Sequence, residues 1–246
     1  LASSAAHVAG HKVVTSESFV TVNLDDATLF ERDFYMLSAR AYAAGINRLV
    51  FHGFAYDYPT LDGRRWFPFA PAEERVSAGP LRITTELNDS HAMWSELPEF
   101  TQYLGRLSQA MMVGKPDVSV AWLMQDHEIR DEIALTMGGV EGKSGESSLS
   151  KRIRSLGYDY DRISPAQLLA RDGDAGRLIV SESSYDILLV DNLDVAEPQW
   201  LEHLVALEQR GVPIVWVGQM PLRARGYHDA DARDGDVERL SAELAQ

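Results

Sequence analysis

Apolar and polar positions follow two rhythms along this chain, and the switches between them mark its elements. Leu1 to Gly10 is Ala-rich and ends in Gly, the pattern of a helix tail and its stop signal. Lys12 to Phe19 (KVVTSESF) places β-branched residues ahead of a polar tip, which predicts a short strand. Asp25 to Gly45 starts with acidic residues and repeats apolar ones at helical spacing (Leu29, Phe30, Phe34, Leu37, Ala41), with Gly45 to close it. Arg48 to His52 (RLVFH) predicts a second buried strand. This helix–strand–helix–strand order predicts parallel strands joined by crossover helices.

Residues 53–88 break the rhythm. They are rich in Pro, Gly, Trp, Phe and Tyr without a clear period, and a segment of that length inside a compact domain usually carries function. His91 to Val113 then predicts a helix with Trp94, Leu97, Phe100, Leu104, Leu107 and Met111 on one stripe; Pro98 falls in its first turn, where helices tolerate it. The pattern restarts after Gly114-Lys115-Pro116. Strands are predicted at Asp117 to Met124, Tyr158 to Ile163, Arg177 to Ser181, Tyr185 to Val190 and Val212 to Gly218. Helices are predicted at Leu149 to Leu156, Pro165 to Ala170, Pro198 to Arg210 and Asp234 to Leu244. Fully apolar strands alternating with helices argue for an open, doubly wound α/β domain. The expected division is therefore residues 1–114 and 115–246.

Composition narrows the function classes. The balance is that of a globular chain, 45% apolar and 24% charged. The formal charge of −14 repels phosphate backbones, so general nucleic-acid binding is not expected. No apolar run reaches the roughly 20 residues of a membrane-spanning helix. Zero cysteines exclude disulfides, thiolate metal sites and a Cys nucleophile. The chain opens Leu1-Ala2-Ser3-Ser4 with neither Met nor a basic leader, as if inside a helix, so it is expected to be a piece of a longer protein.

Glu17 is the first chemical candidate. It stands at the C-terminal end of a predicted parallel strand, the edge where α/β barrels gather their catalytic groups. A carboxylate there suits an acid, a base or a nucleophile of glycoside hydrolysis; the same residue equally suits a strand end that caps a backbone N–H. His52 ends the next strand, level with Glu17 if the two strands are parallel neighbours; alone, such a His is commonly structural. Beyond it Phe54, Tyr56, Tyr58, Trp66, Phe67 and Phe69 crowd one loop. Aromatic faces pack on the C–H faces of sugars, though these rings also suffice to pack the loop down. Asn88, Asp89, His91 and Trp94 mark the entrance to the next helix, as a sugar subsite or, with Asp89 or Ser90, simply an N-cap.

Other motifs fail on inspection. Gly138 to Ser144 (GGVEGKS) imitates a phosphate loop, but Met137 stands where the first Gly is required. Asp229 to Asp236 (DADARDGD) imitates a calcium loop with its Gly one place late, and Leu240 occupies the place of the final Glu, so it reads as a solvated acidic linker. His7 and His11 are interrupted by Gly10 and make an improbable zinc pair. In the second domain Asp126, His127 and Glu128 follow the first strand as a polar loop.

Two segments carry a resemblance. SSAAHVAGHKVVTSESF (residues 3–19) and AYAAGINRLVFHGFAY (residues 41–56) resemble the α-L-rhamnosidases of glycoside hydrolase family 106. The carrying features are the Ser-Ala-Ala-His helix before a strand ending in Glu and Phe, and Gly-Ile-Asn-Arg before an apolar strand and Phe-His. The resemblance implies the C-terminal portion of a (β/α)8 barrel followed by a doubly wound, flavodoxin- or glutamine-amidotransferase-like α/β domain. It implies hydrolysis of terminal α-L-rhamnosyl linkages with inversion, assisted by Ca2+. It implies Glu17 as general base and His52 as an active-site His, with Asn88 and Trp94 at the substrate; Tyr56 and Trp66 of the aromatic loop complete the expected substrate-binding set. The family commonly has a second His where this chain has Tyr56.

Inverting hydrolysis needs an acid and a base roughly 6.5–9.5 Å apart. The acid is expected on a strand upstream of Leu1, since Asp57, Asp62 and Asp89 are poorly placed, and this chain alone is expected to be inactive. A polymeric or glycosidic carbohydrate substrate implies a secreted or periplasmic location. Two alternatives stay open: a retaining barrel glycosidase of other specificity with Glu17 as nucleophile, and a non-catalytic carbohydrate-binding module.

Overall fold

The computed structural model of the chain describes residues 2–19, 21–22, 31–51, 83–84, 93–124, 147–170 and 176–245. Two compact units emerge, Lys12–Lys115 and a second made of Leu1–His11 together with Pro116–Gln246. The first residues of the chain thus belong to the same unit as Pro116–Gln246.

The unit Lys12–Lys115 opens with strands β1 (Thr15–Ser18) and β2 (Thr21–Val22). Helix α2 (Glu31–Ala43) precedes β3 (Arg48–Phe51), and a short β4 (Ile83–Thr84) precedes helix α3 (Leu97–Met111). β1 and β3 pair in parallel, Glu17 opposite Val50 and Ser18 opposite Phe51, while β2 and β4 pair antiparallel. Gly45 ends α2 as expected: its φ of 82° lets its own N–H reach the Tyr42 carbonyl and that of Ile46 reach Ala41, satisfying carbonyls the helix leaves open. The two helices bury Phe34, Tyr42, Phe100 and Leu104 against Phe19 and Met93, and Leu49 and Phe51 of β3 pack onto the same core. α3 carries Pro98 in its first turn, as its sequence predicts. The expected stripe is shorter at both ends. Trp94 lies in a turn ahead of the helix, and it and Met111 are each 43% exposed.

The second unit begins with α1 (Ala2–Val8), the predicted helix tail, and resumes at β5 (Val120–Leu123). Then follow α4 (Ser148–Ser155), β6 (Tyr160–Ile163), α5 (Pro165–Leu169), β7 (Leu178–Val180), β8 (Ser183–Tyr185) and β9 (Ile187–Asp191). The chain continues through β10 (Val195–Ala196), α6 (Pro198–Gln209), β11 (Ile214–Val217), β12 (Arg223–Ala224) and α7 (Ala230–Leu244). A four-stranded sheet in the order β11-β9-β5-β6 is parallel throughout, and its order reverses between β5 and β9, as in open doubly wound sheets. One face buries Ala121, Leu123, Ile163, Leu188 and Val190 beneath residues of α1, α5, α6 and α7. The other buries Val120, Trp122 and Leu189 beneath Leu149 and Ile153 of α4. Period-two alternation on β5 and β9 divides these residues between the faces.

Two sequence expectations change. Arg177 to Ser181 does not enter the parallel sheet; β7 and β8 form an antiparallel hairpin, so the expected strand Tyr185 to Val190 is divided at Asp186. The division occurs where the amides of Asp186 and Ile187 both donate to the Ser119 carbonyl, at 2.8 and 3.2 Å. Asp229 to Asp236 is no solvated linker, for α7 starts at Ala230 after Asp229 turns at φ 47°. Its acidic and basic residues tie it down: Asp234 accepts from the Ala224 amide at 2.7 Å, and Arg233 pairs with Glu197 and donates to the Arg225 carbonyl.

Asp191 ends β9 two residues beyond Leu189, on the α4 face. Burial raises its carboxyl pKa above the ordinary 3.8, against the opposing pull of the Arg162 guanidinium. A raised carboxyl makes the folded state bind the proton more tightly than the unfolded one. Its contribution to stability is therefore present below 3.8 and lost as the pH rises through the raised folded value. Urea denaturation across that window is expected to show a flatter pH dependence in Asp191→Asn than in the parent; identical slopes would contradict the assignment.

Candidate active site

The site grows from how β1 and β3 are held. Asn47, buried just after the Gly45 stop, acts as a splice between the strands. Its side chain accepts from the Val14 amide at 2.8 Å and donates to the Lys12 carbonyl at 2.7 Å. The amides of Asn47 and Arg48 both donate to the Val14 carbonyl at 3.0 Å. This closes the lower end of the parallel pair and sets the register that places Glu17 beside Val50. In the sequence Asn47 stands out only within the Gly-Ile-Asn-Arg motif, and its local structural signal is an amide side chain directly between a helix stop and a strand.

The upper end is locked by Phe19, which adopts φ 64° and is 7% exposed. A non-Gly residue in that region costs about 1–3 kcal/mol, and packing must offset it. The Phe19 ring meets Phe34 at 4.9 Å, Phe51 at 5.0 Å and Phe100 at 6.1 Å between centroids. The backbone therefore turns sharply two residues after Glu17, at a place fixed by the aromatic core.

Alternation does the rest. Leu49 and Phe51 face the α2–α3 core, so Val50 and its neighbour Glu17 lie on the opposite face. That face is open: Thr15, Glu17 and Arg48 are exposed, and the apolar Val13 and Val50 are 45% and 44% exposed. Glu17 is thus a carboxylate at the C-terminal end of a parallel strand, turned away from the helices. Its side chain is exposed to solvent.

Of the other expected site residues, Trp94 is described and lies exposed in the turn before α3. His52, Tyr56, Trp66 and Asn88 lie outside the described residues, as do Asp57, Asp62, Asp89 and the Asp126-His127-Glu128 loop. Phe51, which precedes His52, pairs with Ser18, so β3 runs parallel to β1 with its last described residue one step past the level of Glu17. Among the described residues no three His, Asp or Glu side chains come together to hold a metal. His7 Nδ1 lies 2.9 Å from Asp161 Oδ1. No described helix is long and apolar enough to cross a membrane.

Comparison with known proteins gives the context. No curated protein sequence matches the chain. A solved structure of a rhamnosidase from Novosphingobium sp. PP1Y has a similar fold, with a TM-score of 0.65 at 18% identity. The similarity covers 99% of this chain but 21% of that one, so this chain spans about a fifth of its length. The sequence model of glycoside hydrolase family 106, described as alpha-L-rhamnosidase, matches residues 1–245, and the chain belongs to that family.

Proposed function

We propose that this chain is the C-terminal portion of the catalytic barrel of an inverting α-L-rhamnosidase together with the α/β domain that follows the barrel, with Glu17 as the general base that activates the attacking water. One observation carries the reading. A parallel β1–β3 pair is covered by helices on one face and presents a strand-end carboxylate on the other, which is the local geometry of an α/β barrel wall. The open face with Val13 and Val50 then looks into the barrel, and the doubly wound unit is the glutamine-amidotransferase-like domain that follows it. The general acid resides on a strand supplied by the rest of the polypeptide. His52 works beside Glu17, and Tyr56, Trp66, Asn88 and Trp94 line the sugar subsites. Ca2+ assistance, a plant or bacterial carbohydrate substrate and a secreted or periplasmic setting belong to the same reading.

The test uses the full-length protein and an aryl α-L-rhamnoside. Inversion predicts that β-L-rhamnose appears first in early-time NMR; α-L-rhamnose first would replace the base by a nucleophile. The 246-residue chain by itself is expected to release no rhamnose, because inversion needs both carboxyl groups. Turnover by the isolated chain would overturn the placement of the acid.

A further inference from the structure

We infer that the loop of residues 225–229, between β12 and α7, is a surface platform for a carbohydrate chain, on which the ring of Tyr227 stacks against the C–H face of a neutral pyranose. The choice of sugar rests on the glycosidase reading proposed above; the display of the ring does not. The whole platform lies within the unit that holds the four-stranded sheet.

Tyr227 is 99% exposed, more than any other large apolar or aromatic side chain among the described residues. Leaving such a ring in water forgoes the gain from burying it. The loop that carries it is nevertheless fixed, and its anchors all come from α7. The Arg233 guanidinium donates to the carbonyls of Arg225 at 2.8 Å and His228 at 3.3 Å while it pairs with Glu197. Asp234 accepts from the Ala224 amide at 2.7 Å, and the Ser241 hydroxyl donates to the Pro221 carbonyl at 2.7 Å. The backbone turns at Gly226, φ 80°, and at Asp229, φ 47°, on either side of Tyr227 and His228. The second turn is an unfavourable geometry for a residue with a Cβ, and Arg233 holds the carbonyl just ahead of it. A ring on a fixed loop loses little freedom when a ligand meets it, which lowers the cost of binding.

The surroundings of the ring select the partner. A Cβ at Gly226 would meet nothing within 4 Å, so this unit leaves the space beside the loop open. His228 and Asp229 are exposed, with Nδ1 of the first 2.9 Å from Oδ2 of the second. Arg225 is half-buried, its guanidinium carbon 5.4 Å from the centre of the Trp200 ring. An aromatic face among polar groups of both signs suits a sugar. Hydroxyls both donate and accept, so a carboxylate and a guanidinium each find a partner on them, while the C–H face of the pyranose covers the ring. The core of a protein interface is depleted of charge instead. A polyanion is disfavoured by the formal charge of −14.

The experiment is affinity electrophoresis of the full-length protein through gels containing a neutral rhamnan, a polymer of L-rhamnose. All forms in the gels carry Glu17→Gln, so that the probe is not consumed. Adding Tyr227→Ala is expected to weaken the apparent affinity about fivefold, the scale of one aromatic stacking contact. Tyr227→Phe, which keeps the ring, should retain it. With Glu17 intact, Tyr227→Ala should leave kcat and KM for an aryl α-L-rhamnoside within about twofold, because so small a substrate does not reach a surface platform. No retardation of the parent, unchanged retardation in Tyr227→Ala, or an equal loss in Tyr227→Phe would each overturn the platform. A fall in kcat on the aryl rhamnoside would overturn a site separate from the chemistry. Stronger retardation by polygalacturonate than by rhamnan would overturn the neutral sugar. Full turnover in Glu17→Gln would remove the proposed base, while the comparison at Tyr227, made within one background, would still decide the platform.

Discussion

Glu17→Gln in the full-length protein is expected to lower kcat for an aryl α-L-rhamnoside by about 10²–10⁴-fold, the usual contribution of a positioned general base. The amide keeps the shape of the side chain and removes its capacity to take a proton from water. KM should change little, because a base acts on the water rather than on the ground-state sugar. Stability should also change little, since Glu17 is exposed and outside the aromatic core. Loss of turnover with an unchanged melting temperature therefore separates a chemical role from a structural one. Turnover within about tenfold of the parent would be too small for a general base and would return Glu17 to a strand-end carboxylate.

Phe100→Ala is expected to be the most damaging single core change, costing the unit Lys12–Lys115 about 3–5 kcal/mol. Phe100 is 1% exposed and stands at the centre of the ring cluster. It meets Phe34 at 5.5 Å, Tyr35 at 5.0 Å, Phe51 at 6.4 Å and Phe19 at 6.1 Å. Truncation removes the ring's own burial and leaves a cavity that those neighbours cannot close without abandoning one another. It also withdraws part of the packing that holds Phe19 at its positive φ. Urea unfolding followed by near-UV circular dichroism should show an early transition for this unit, ahead of that of the unit with the four-stranded sheet. A shift below about 1 kcal/mol would mean the cluster repacks freely, contrary to the behaviour of close-packed cores.

Much of the local structure was legible along the chain. Runs such as VAWL (Val120–Leu123), ILLV (Ile187–Val190) and IVWV (Ile214–Val217) are apolar on both faces, which only a sheet covered on both sides accommodates. Gly45 and Pro98 marked helix ends because their backbone chemistry acts at the position where they stand. Glu17 could be named because a strand end is visible in one segment, and parallel pairing then follows from the helix between the strands. Family membership rested on two short segments, and matching over residues 1–245 agrees with it.

What stayed hidden depended on partners distant in the chain. Periodicity states which face of α1 is apolar but not which unit that face meets. Its answer lies in a hydrogen bond from His7 to Asp161, 154 positions away. The hairpin of β7 and β8 carries a strand-like pattern, yet pairing with the sheet begins only at Asp186 and Ile187, whose amides donate to the Ser119 carbonyl. Asp229 to Asp236 looked like a solvated run because charge alone does not disclose that Arg233 and Asp234 have partners on other elements. Asn47 is an ordinary turn residue until the backbones of Lys12 and Val14 arrive beside it. The sequence by itself determined the elements, the apolar faces and the family, because these depend on side-chain period and on local backbone preference. The tertiary structure decided which faces meet, which polar groups are buried together, and which side of the β1–β3 pair carries Glu17 to solvent. Those outcomes are set by long-range packing and by the need to satisfy every buried donor and acceptor.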